Sequence, residues 1–571
     1  MSVHNREIAA CFDRLATLLE IEGSNPFRVR AYRNAARLIE GHSEQMATLL
    51  ADGHDLAELP GIGKDLAEKI ATLVDTGELP MLKEVEARVP AALAEMTEIE
   101  GLGPRRVGQL YHELGIRSLD DLTRAVESGR VHELEGFGKK LEDTIAAGIE
   151  SLKDGDKRMR WADAEEVAEP LAEWLRGVEG VKKVWLAGSY RRGKQTVGDL
   201  DILVTCRKDS PVMDRFVTHD DVRRVVSHGT TRSTVHLRSG LQVDLRVVPA
   251  VGAGAALHYF TGSKAHNIAV RRRGVDRGLK INEYGVYRGA KRIAGRTEAE
   301  VFEAVGLPFI VPELREDRGE IKAAEKGRLP ELVRLEGIRG DLHCHTDATD
   351  GQHDLETMVR AARARGYEYL AITDHSKAVR VANGLDADRL LAQVDAIDRL
   401  NEELDGITVL KGIEVDILAD GRLDLPDDVL DRLDLTVCSI HSRFNLPEKQ
   451  QTERVLRAME NPHFTILGHP TGRLINQRRP YAIDMGQVVR AAAERGCFLE
   501  VNAQPSRLDL DDAACMLARE HGVKVAISTD AHADTQLGAM RFGVTQARRG
   551  WLSADDVINT RGLSALRKLV G

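Results

Sequence analysis

Gly198-Asp199-Leu200-Asp201-Ile202-Leu203-Val204 sets two carboxylates two residues apart at the head of an apolar run. Side chains at i and i+2 of a strand share a face. Asp199 and Asp201 therefore converge on one point, while Leu200 turns to the core. Carboxylates that close repel unless divalent cations lie between them. Farther on, Val243-Asp244-Leu245-Arg246-Val247 alternates in the same way, so Asp244 can supply a third carboxylate. Three aspartates can hold two Mg2+ ions about 4 Å apart, an arrangement suited to in-line displacement at phosphorus. Upstream, Gly188-Ser189-Tyr190-Arg191-Arg192-Gly193 offers the Gly188-Ser189 backbone, the Ser189 hydroxyl and the Arg192 guanidinium to phosphate oxygens. Alone, Asp-Leu-Asp is more often an exposed strand end. Joined to Gly-Ser at this distance, it reads as a site for nucleotidyl transfer. Period-two patterns at Val184–Leu186, Leu200–Val204, Val235–Leu237 and Val243–Val247 make the region a sheet.

On the N-terminal side the pattern is helical and punctuated by glycine. Leu59-Pro-Gly61-Ile-Gly63-Lys64, Ile99-Glu-Gly101-Leu-Gly103-Pro104 and Leu134-Glu-Gly136-Phe-Gly138-Lys139 repeat one word, each followed by a helical stretch. Repetition of this kind marks helix-hairpin-helix units. The glycines allow a tight turn, and the helix that follows presents free N–H groups to a DNA phosphate without reading sequence. Gly61, Gly63, Lys64, Gly101, Gly103, Arg105, Gly136, Gly138 and Lys139 are the candidate DNA contacts. On the C-terminal side, apolar strands alternate with helices near 360–366, 386–404, 485–496 and 511–521, which predicts a parallel α/β barrel. Asp341-Leu-His343-Cys-His345, Thr373-Asp374-His375 and Asp530-Ala-His532 fall at strand ends, with Glu414, His441 and His469 between them. Active sites of such barrels lie there. Cys344, between two histidines, points to the opposite face and reads as core.

The chain has 571 residues, too many for one core. No stretch approaches the run of about 20 consecutive apolar residues that a membrane span needs, and the first twenty residues read as an amphipathic helix, so a cytoplasmic protein is expected. The six cysteines show no paired spacing, which excludes disulfide frameworks and zinc fingers. The net charge of -10 is unevenly spread: residues 151–300 carry 28 basic against 19 acidic side chains, residues 51–150 carry 11 against 21. The middle of the chain is thus the part suited to phosphate.

With Tyr259-Phe-Thr-Gly-Ser263 and Asn282-Glu-Tyr284 added to Gly188–Gly193, Asp199–Asp201 and Val243–Asp244, residues 1–315 resemble the family X DNA polymerases, the group of DNA polymerase beta. The resemblance implies a lyase-like helical domain (1–80), fingers (81–150), palm (151–248) and thumb (249–316). It implies that Asp199, Asp201 and Asp244 are catalytic, that Gly188, Ser189, Arg192, Tyr259, Phe260, Gly262 and Asn267 bind nucleotide, and that Lys69 stands where a Schiff-base lyase lysine would. Lys264 departs from the acidic residue of the vertebrate enzyme and would meet the nucleotide as a cation. By the same resemblance the carbonyls of Ala57, Leu59, Ile62, Thr97, Ile99 and Leu102 would hold Na+ or K+. After a charged linker (317–338), residues 339–571 resemble the PHP domain, for polymerase and histidinol phosphatase, a distorted (β/α)7 barrel. Its nine ligand positions fall on His343, His345, Asp350, His375, Glu414, His441, His469, Asp530 and His532, a set suited to Mn2+, Zn2+ or Fe2+, up to three ions. Glu500, Asn502 and Asp374 would support these ligands, and Arg443 and Arg473 would take the substrate phosphate. The fold class expected is multidomain α+β and α/β. The function implied is gap-filling DNA synthesis in repair, base excision repair included, by a monomer acting on gapped or primer-template DNA with dNTPs, at the nucleoid when at work. The barrel would act as a 3′-5′ exonuclease or 3′-end phosphatase, and could cut at abasic sites. The rival readings are a template-independent nucleotidyltransferase, a small-molecule phosphatase fused to a DNA binder, and a scaffold with relic sites.

Overall fold

In the helix Asn5–Glu22, apolar residues recur every three or four positions, and Phe12, Leu15 and Leu19 from it are buried. The chain's structure, a computed structural model, describes residues 5–40, 46–59, 61–97, 99, 101–153 and 158–570. Pro60 and Glu100, from the first two hairpin words, lie outside them. Two compact units result, Met1–Lys157 and Arg158–Gly571. In the first, the helices Pro26–Glu40, Lys64–Thr76, Pro104–Leu114, Leu119–Glu127 and Lys139–Lys153 share one core with Asn5–Glu22, formed by residues such as Tyr32, Ile70, Leu110, Phe137 and Ile145.

The three repeated words fold alike. The N–H of Ile62 donates to Leu59 at 3.0 Å, that of Leu102 to Ile99 at 2.9 Å, and that of Phe137 to Leu134 at 3.0 Å. The first glycine of each word sits in the left-handed region, at φ +96° (Gly61), +86° (Gly101) and +82° (Gly136). Gly63 and Gly103 are extended and precede the next helix, whose first-turn N–H groups have no helical acceptor. Lys64 and Arg105 are exposed beside these starts. Lys139 is paired with Glu142 at 2.8 Å and Asp143 at 3.4 Å.

In the second unit the period-two runs form a five-stranded sheet ordered Val181–Leu186, Asp199–Cys206, Gln242–Val247, Arg232–Leu237, Val222–His228. The pair Asp199–Cys206 and Gln242–Val247 is parallel and the others antiparallel, so the sheet is mixed. The helices Ala253–Thr261 and Lys264–Val275 follow, then a three-stranded antiparallel sheet and the helix Glu298–Ala304. The stretch 317–338, expected as a linker, is packed instead. It carries the helix Glu320–Glu325, Val333 is buried, and the Val333 N–H donates to Leu552 at 2.9 Å. Its charges masked the apolar residues that anchor it, and Glu320 is itself buried, 2.6 Å from His266 Nδ1.

The remaining residues form seven parallel strands in chain order: Gly340–Asp341, Tyr369–Ile372, Thr408–Asp416, Leu435–Ser439, Ile466–Leu467, Phe498–Asn502 and Val525–Ser528. Just past their ends the last meets the first, where the His345 N–H donates to Ala531 at 2.8 Å, so the barrel is nearly closed. Neighbouring residues along a strand enter different apolar clusters: Tyr369, Ala371 and Leu410 one, Leu370, Ile372 and Val409 another. Both faces are packed, as in parallel sheets generally, which leaves the strand ends for chemistry. Cys344 is buried, as expected of a core residue. Among the described residues no helix is long and apolar enough to cross a membrane.

Candidate active sites

The parallel register of the mixed sheet pairs Asp201 with Asp244 and Asp199 with Gln242. The i and i+2 carboxylates thus share a face with the third. Asp244 is buried and accepts from the Thr234 hydroxyl, with Arg232 Nη2 at 3.3 Å. Burial, then repulsion from Asp199 and Asp244, pushes the Asp201 carboxyl up to about 7. Cations between these three groups would remove that repulsion, so the donor set fits the ions expected here. Gly188 lies at φ +62°, and a Cβ there would stand 2.5 Å from Asp201 Oδ2, so only glycine lets the Gly-Ser turn come this close. Ser189 Oγ is buried without a hydrogen-bond partner, an orphan that a phosphate oxygen can satisfy.

Arg192 is engaged elsewhere: its Nε lies 3.0 Å from Glu316 Oε1 and its Nη1 2.5 Å from the Thr261 carbonyl. Asn267 donates to the Tyr259 carbonyl at 2.6 Å, and its Oδ1 is buried without a partner. Phe260 packs against the Arg246 guanidinium at 4.3 Å. Lys264 opens the helix Lys264–Val275 just past Gly262, which sits at φ +72°. In the first unit, Lys69 is ion-paired with Asp65 one helical turn away. The carbonyls of Leu59 and Ile99 accept hairpin N–H groups. Ala57, Ile62, Thr97 and Leu102 lie in or beside the same turns.

The barrel brings the nine histidine, aspartate and glutamate positions to one end. Three groups lie close enough to share an ion each: His345, Asp350, His375 and His532; His343, His345 and Asp530; His375, Glu414 and His441. His469 joins through Glu414, its Nε2 2.9 Å from Oε1. His343 Nε2 and His345 Nε2 are 3.2 Å apart, and the latter is 3.1 Å from Asp530 Oδ1. His345 Nδ1 and His469 Nδ1 are buried with no hydrogen-bond partner, and Glu414 Oε2 lies 2.8 Å from His375 Nδ1. Converging nitrogens and carboxylate oxygens with orphaned buried atoms are what a divalent N/O site requires. Burial opposes protonation of His343, but Glu500, Glu414 and Asp530 outweigh it and raise its pKa well above the usual histidine value. His469 at φ +24° and Asp530 at φ +50° hold left-handed backbone, a strain found where the surroundings overdetermine a site.

Supporting contacts surround the nest. Glu500 lies 2.7 Å from His343 Nδ1 and accepts the His469 N–H at 2.5 Å, which leaves His343 Nε2 facing the cluster. Asn502 donates to Glu500 at 3.2 Å and to Asp530 at 3.0 Å. Asp374 accepts from the Thr346 N–H at 2.8 Å and from Gln393 at 2.7 Å. Two residues were missed by the sequence reading. Asp416 lies 3.0 Å from His441 Nδ1; it shares a strand face with Glu414, so alternation was the signal. Arg507 Nε lies 3.4 Å from Asp530 Oδ2, and its Nη1 is buried without a partner; it comes from an irregular loop with no pattern to read. Arg473, expected to take substrate phosphate, is buried and donates to the carbonyls of Arg507, at 2.9 Å, and Leu508, so it braces that loop instead. Arg443 is exposed.

Comparison with known proteins agrees with this layout. The chain matches a helix-hairpin-helix domain over 3–79, a SAM-like helix-hairpin-helix tandem over 93–151, the DNA polymerase beta palm over 158–245, the DNA polymerase beta thumb over 256–316 and the PHP domain over 341–504. It is 38% identical over 565 residues to "DNA polymerase/3'-5' exonuclease PolX" of Bacillus subtilis, covering 98% of each chain. It is 26% identical to DNA polymerase lambda of Rattus norvegicus over 55% of this chain and 56% of that one. A protein of Acetivibrio thermocellus described as "Probable phosphatase" is 32% identical over 35% of this chain and 81% of its own. With similarity along nearly its whole length, the chain belongs to the family X DNA polymerases that carry helix-hairpin-helix, palm, thumb and C-terminal PHP domains.

Proposed function

We propose that this chain fills short gaps in DNA from dNTPs at the palm and processes 3′ ends at the barrel. The observation that carries the first half is the Asp201–Asp244 register beside the Gly188-Ser189 turn. Asp199, Asp201 and Asp244 would hold Mg2+, and Ser189 with the turn's backbone would take phosphate oxygens. When bound, the divalent cations would neutralise charge that builds on the triphosphate and on the phosphoester being cleaved. Tyr259, Phe260 and Gly262 would check the sugar, and Asn267 would meet the base edge. In the barrel, the nine ligands would hold Mn2+, or Zn2+ or Fe2+ in its place, with Glu500 and Asp416 fixing the tautomers of His343 and His441. The hairpins would grip the DNA backbone through helix N-termini, with Lys64, Arg105 and Lys139 beside them. We assign the reaction to the cytoplasm and to a monomer on nucleoid DNA. Lyase action by Lys69 would first require breaking its pair with Asp65.

A second reading, a phosphatase acting on small phosphomonoesters, is favoured by the barrel's match to the Acetivibrio protein. The test offers the purified chain a gapped duplex with dNTPs, a 3′-tailed DNA and histidinol phosphate, each with Mg2+ or Mn2+. Template-directed filling and 3′ shortening are expected. Turnover of histidinol phosphate without shortening would favour the second reading, and untemplated addition would replace gap filling with terminal transfer.

A further inference from the structure

The helix Met540–Arg549 belongs to the barrel, yet its last turn lies against the palm's Gly-Ser turn. Arg549 is almost fully buried and makes three contacts. Its Nη1 donates to the Arg192 carbonyl at 2.8 Å and to Glu316 Oε1 at 3.0 Å, and its Nη2 donates to Asp512 Oδ2 at 2.6 Å. Glu316 Oε1 also receives Arg192 Nε at 3.0 Å, so one carboxylate oxygen is divided between two guanidiniums. Lys194 Nζ stands 4.0 Å from the other oxygen. Nearby, Thr545 closes over Gly193, where a Cβ would strike its methyl, and Trp161 meets Phe542 edge-on at 5.0 Å. The palm turn is therefore seated on a barrel helix rather than on solvent.

We infer that Arg549 is a positioning residue for nucleotide binding at the palm: it anchors the turn through the Arg192 carbonyl and, by sharing Glu316, limits how tightly that carboxylate withholds the Arg192 side chain from an incoming triphosphate. Glu316 is an internal anion that already engages Arg192 Nε at 3.0 Å. A guanidinium bonded to a carboxylate must exchange that partner for phosphate. Without Arg549, Glu316 turns wholly to Arg192 and the turn loses a tether, so nucleotide binding weakens. Without the Glu316 charge, Arg192 is released and binding tightens. The two substitutions act in opposite directions on one constant, which packing alone would not produce.

The inference rests on the reading of the Gly188–Gly193 turn as the triphosphate site, so Arg192→Ala is measured alongside. Steady-state gap filling with one dNTP and Mg2+ is measured for the full chain and for Arg192→Ala, Arg549→Met, Arg549→Lys and Glu316→Gln, with 3′ shortening and melting temperature as companions. Arg549→Met is expected to raise KM for the dNTP about tenfold, the effect of losing one charge-assisted contact, with kcat and 3′ shortening changed less than about twofold. Arg549→Lys should recover part of that loss, and Glu316→Gln should lower KM. If Arg192→Ala leaves KM unchanged, the triphosphate reading of the turn fails, and the inference with it. If Arg192→Ala raises KM while Arg549→Met does not, the inference alone is wrong. It is equally overturned if Arg549→Met and Glu316→Gln shift KM in the same direction, or if both lower the melting temperature and depress synthesis and shortening together.

Discussion

Glu316 shows how a single side chain ties pH to stability here. It is half-buried, which by itself would raise its pKa, but Arg549, Arg192 and Lys194 outweigh that burial and bring it from 4.5 to about 2. A carboxylate depressed in the folded state stabilises fully above its unfolded pKa, and that stability disappears as pH falls through the folded value. The window therefore runs from about pH 4.5 down to about 2, and the contribution is on the order of 3 kcal/mol. Urea unfolding at pH 7 and pH 3 should show Glu316→Gln losing less stability on acidification than the parent; parallel losses would reject this account. Asp416 is the matching case in the barrel. Asp416→Asn is expected to cut 3′ shortening about 10- to 100-fold and to lower bound metal, while gap filling is kept. Elemental analysis with both assays checks it. At this scale the sequence was most legible where period-two spacing puts donors on one face, as with Asp199 and Asp201. It was least legible for Arg507 and Arg473, neighbours in space: a loop turns Arg507 toward Asp530, and Arg473 donates to that loop's carbonyls.

Among elements, the three hairpins were readable because a turn needing left-handed backbone demands glycine at a set place. The stretch 317–338 was not, because its charges are mostly exposed and hide the few residues that anchor it, among them Glu320, which turns inward to a His266 that no local pattern reveals. Hairpin glycines differ in what surrounds them: a Cβ on Gly101 would lie 2.6 Å from Leu141 Cδ1, while one on Gly136 would meet nothing within 4 Å. Both positions carry the left-handed conformation. Gly136→Ala is expected to cost about 1 kcal/mol and Gly101→Ala about 2 kcal/mol or more. Thermal unfolding of the two variants decides the order, and equal costs would show that Leu141 yields freely. Either variant should weaken binding to a gapped duplex, measured by fluorescence anisotropy at fixed salt, if the hairpin backbone meets phosphate.

Across the whole molecule, the order of domains and the residues that gather into the two acidic and histidine-rich clusters could be read along the chain, since each short word carries its own chemistry. The link between them could not, for Arg192 and Arg549 are 357 residues apart and each looks ordinary locally. The central claim is that palm carboxylates and barrel imidazoles run two separable reactions in one polypeptide. One primer annealed at a gap, labelled at its 5′ end, reports both: it lengthens by synthesis and shortens by 3′ processing. With Asp199→Ala/Asp201→Ala the primer should only shorten, and with His343→Ala it should only lengthen. Loss of both products from either folded variant would contradict the claim.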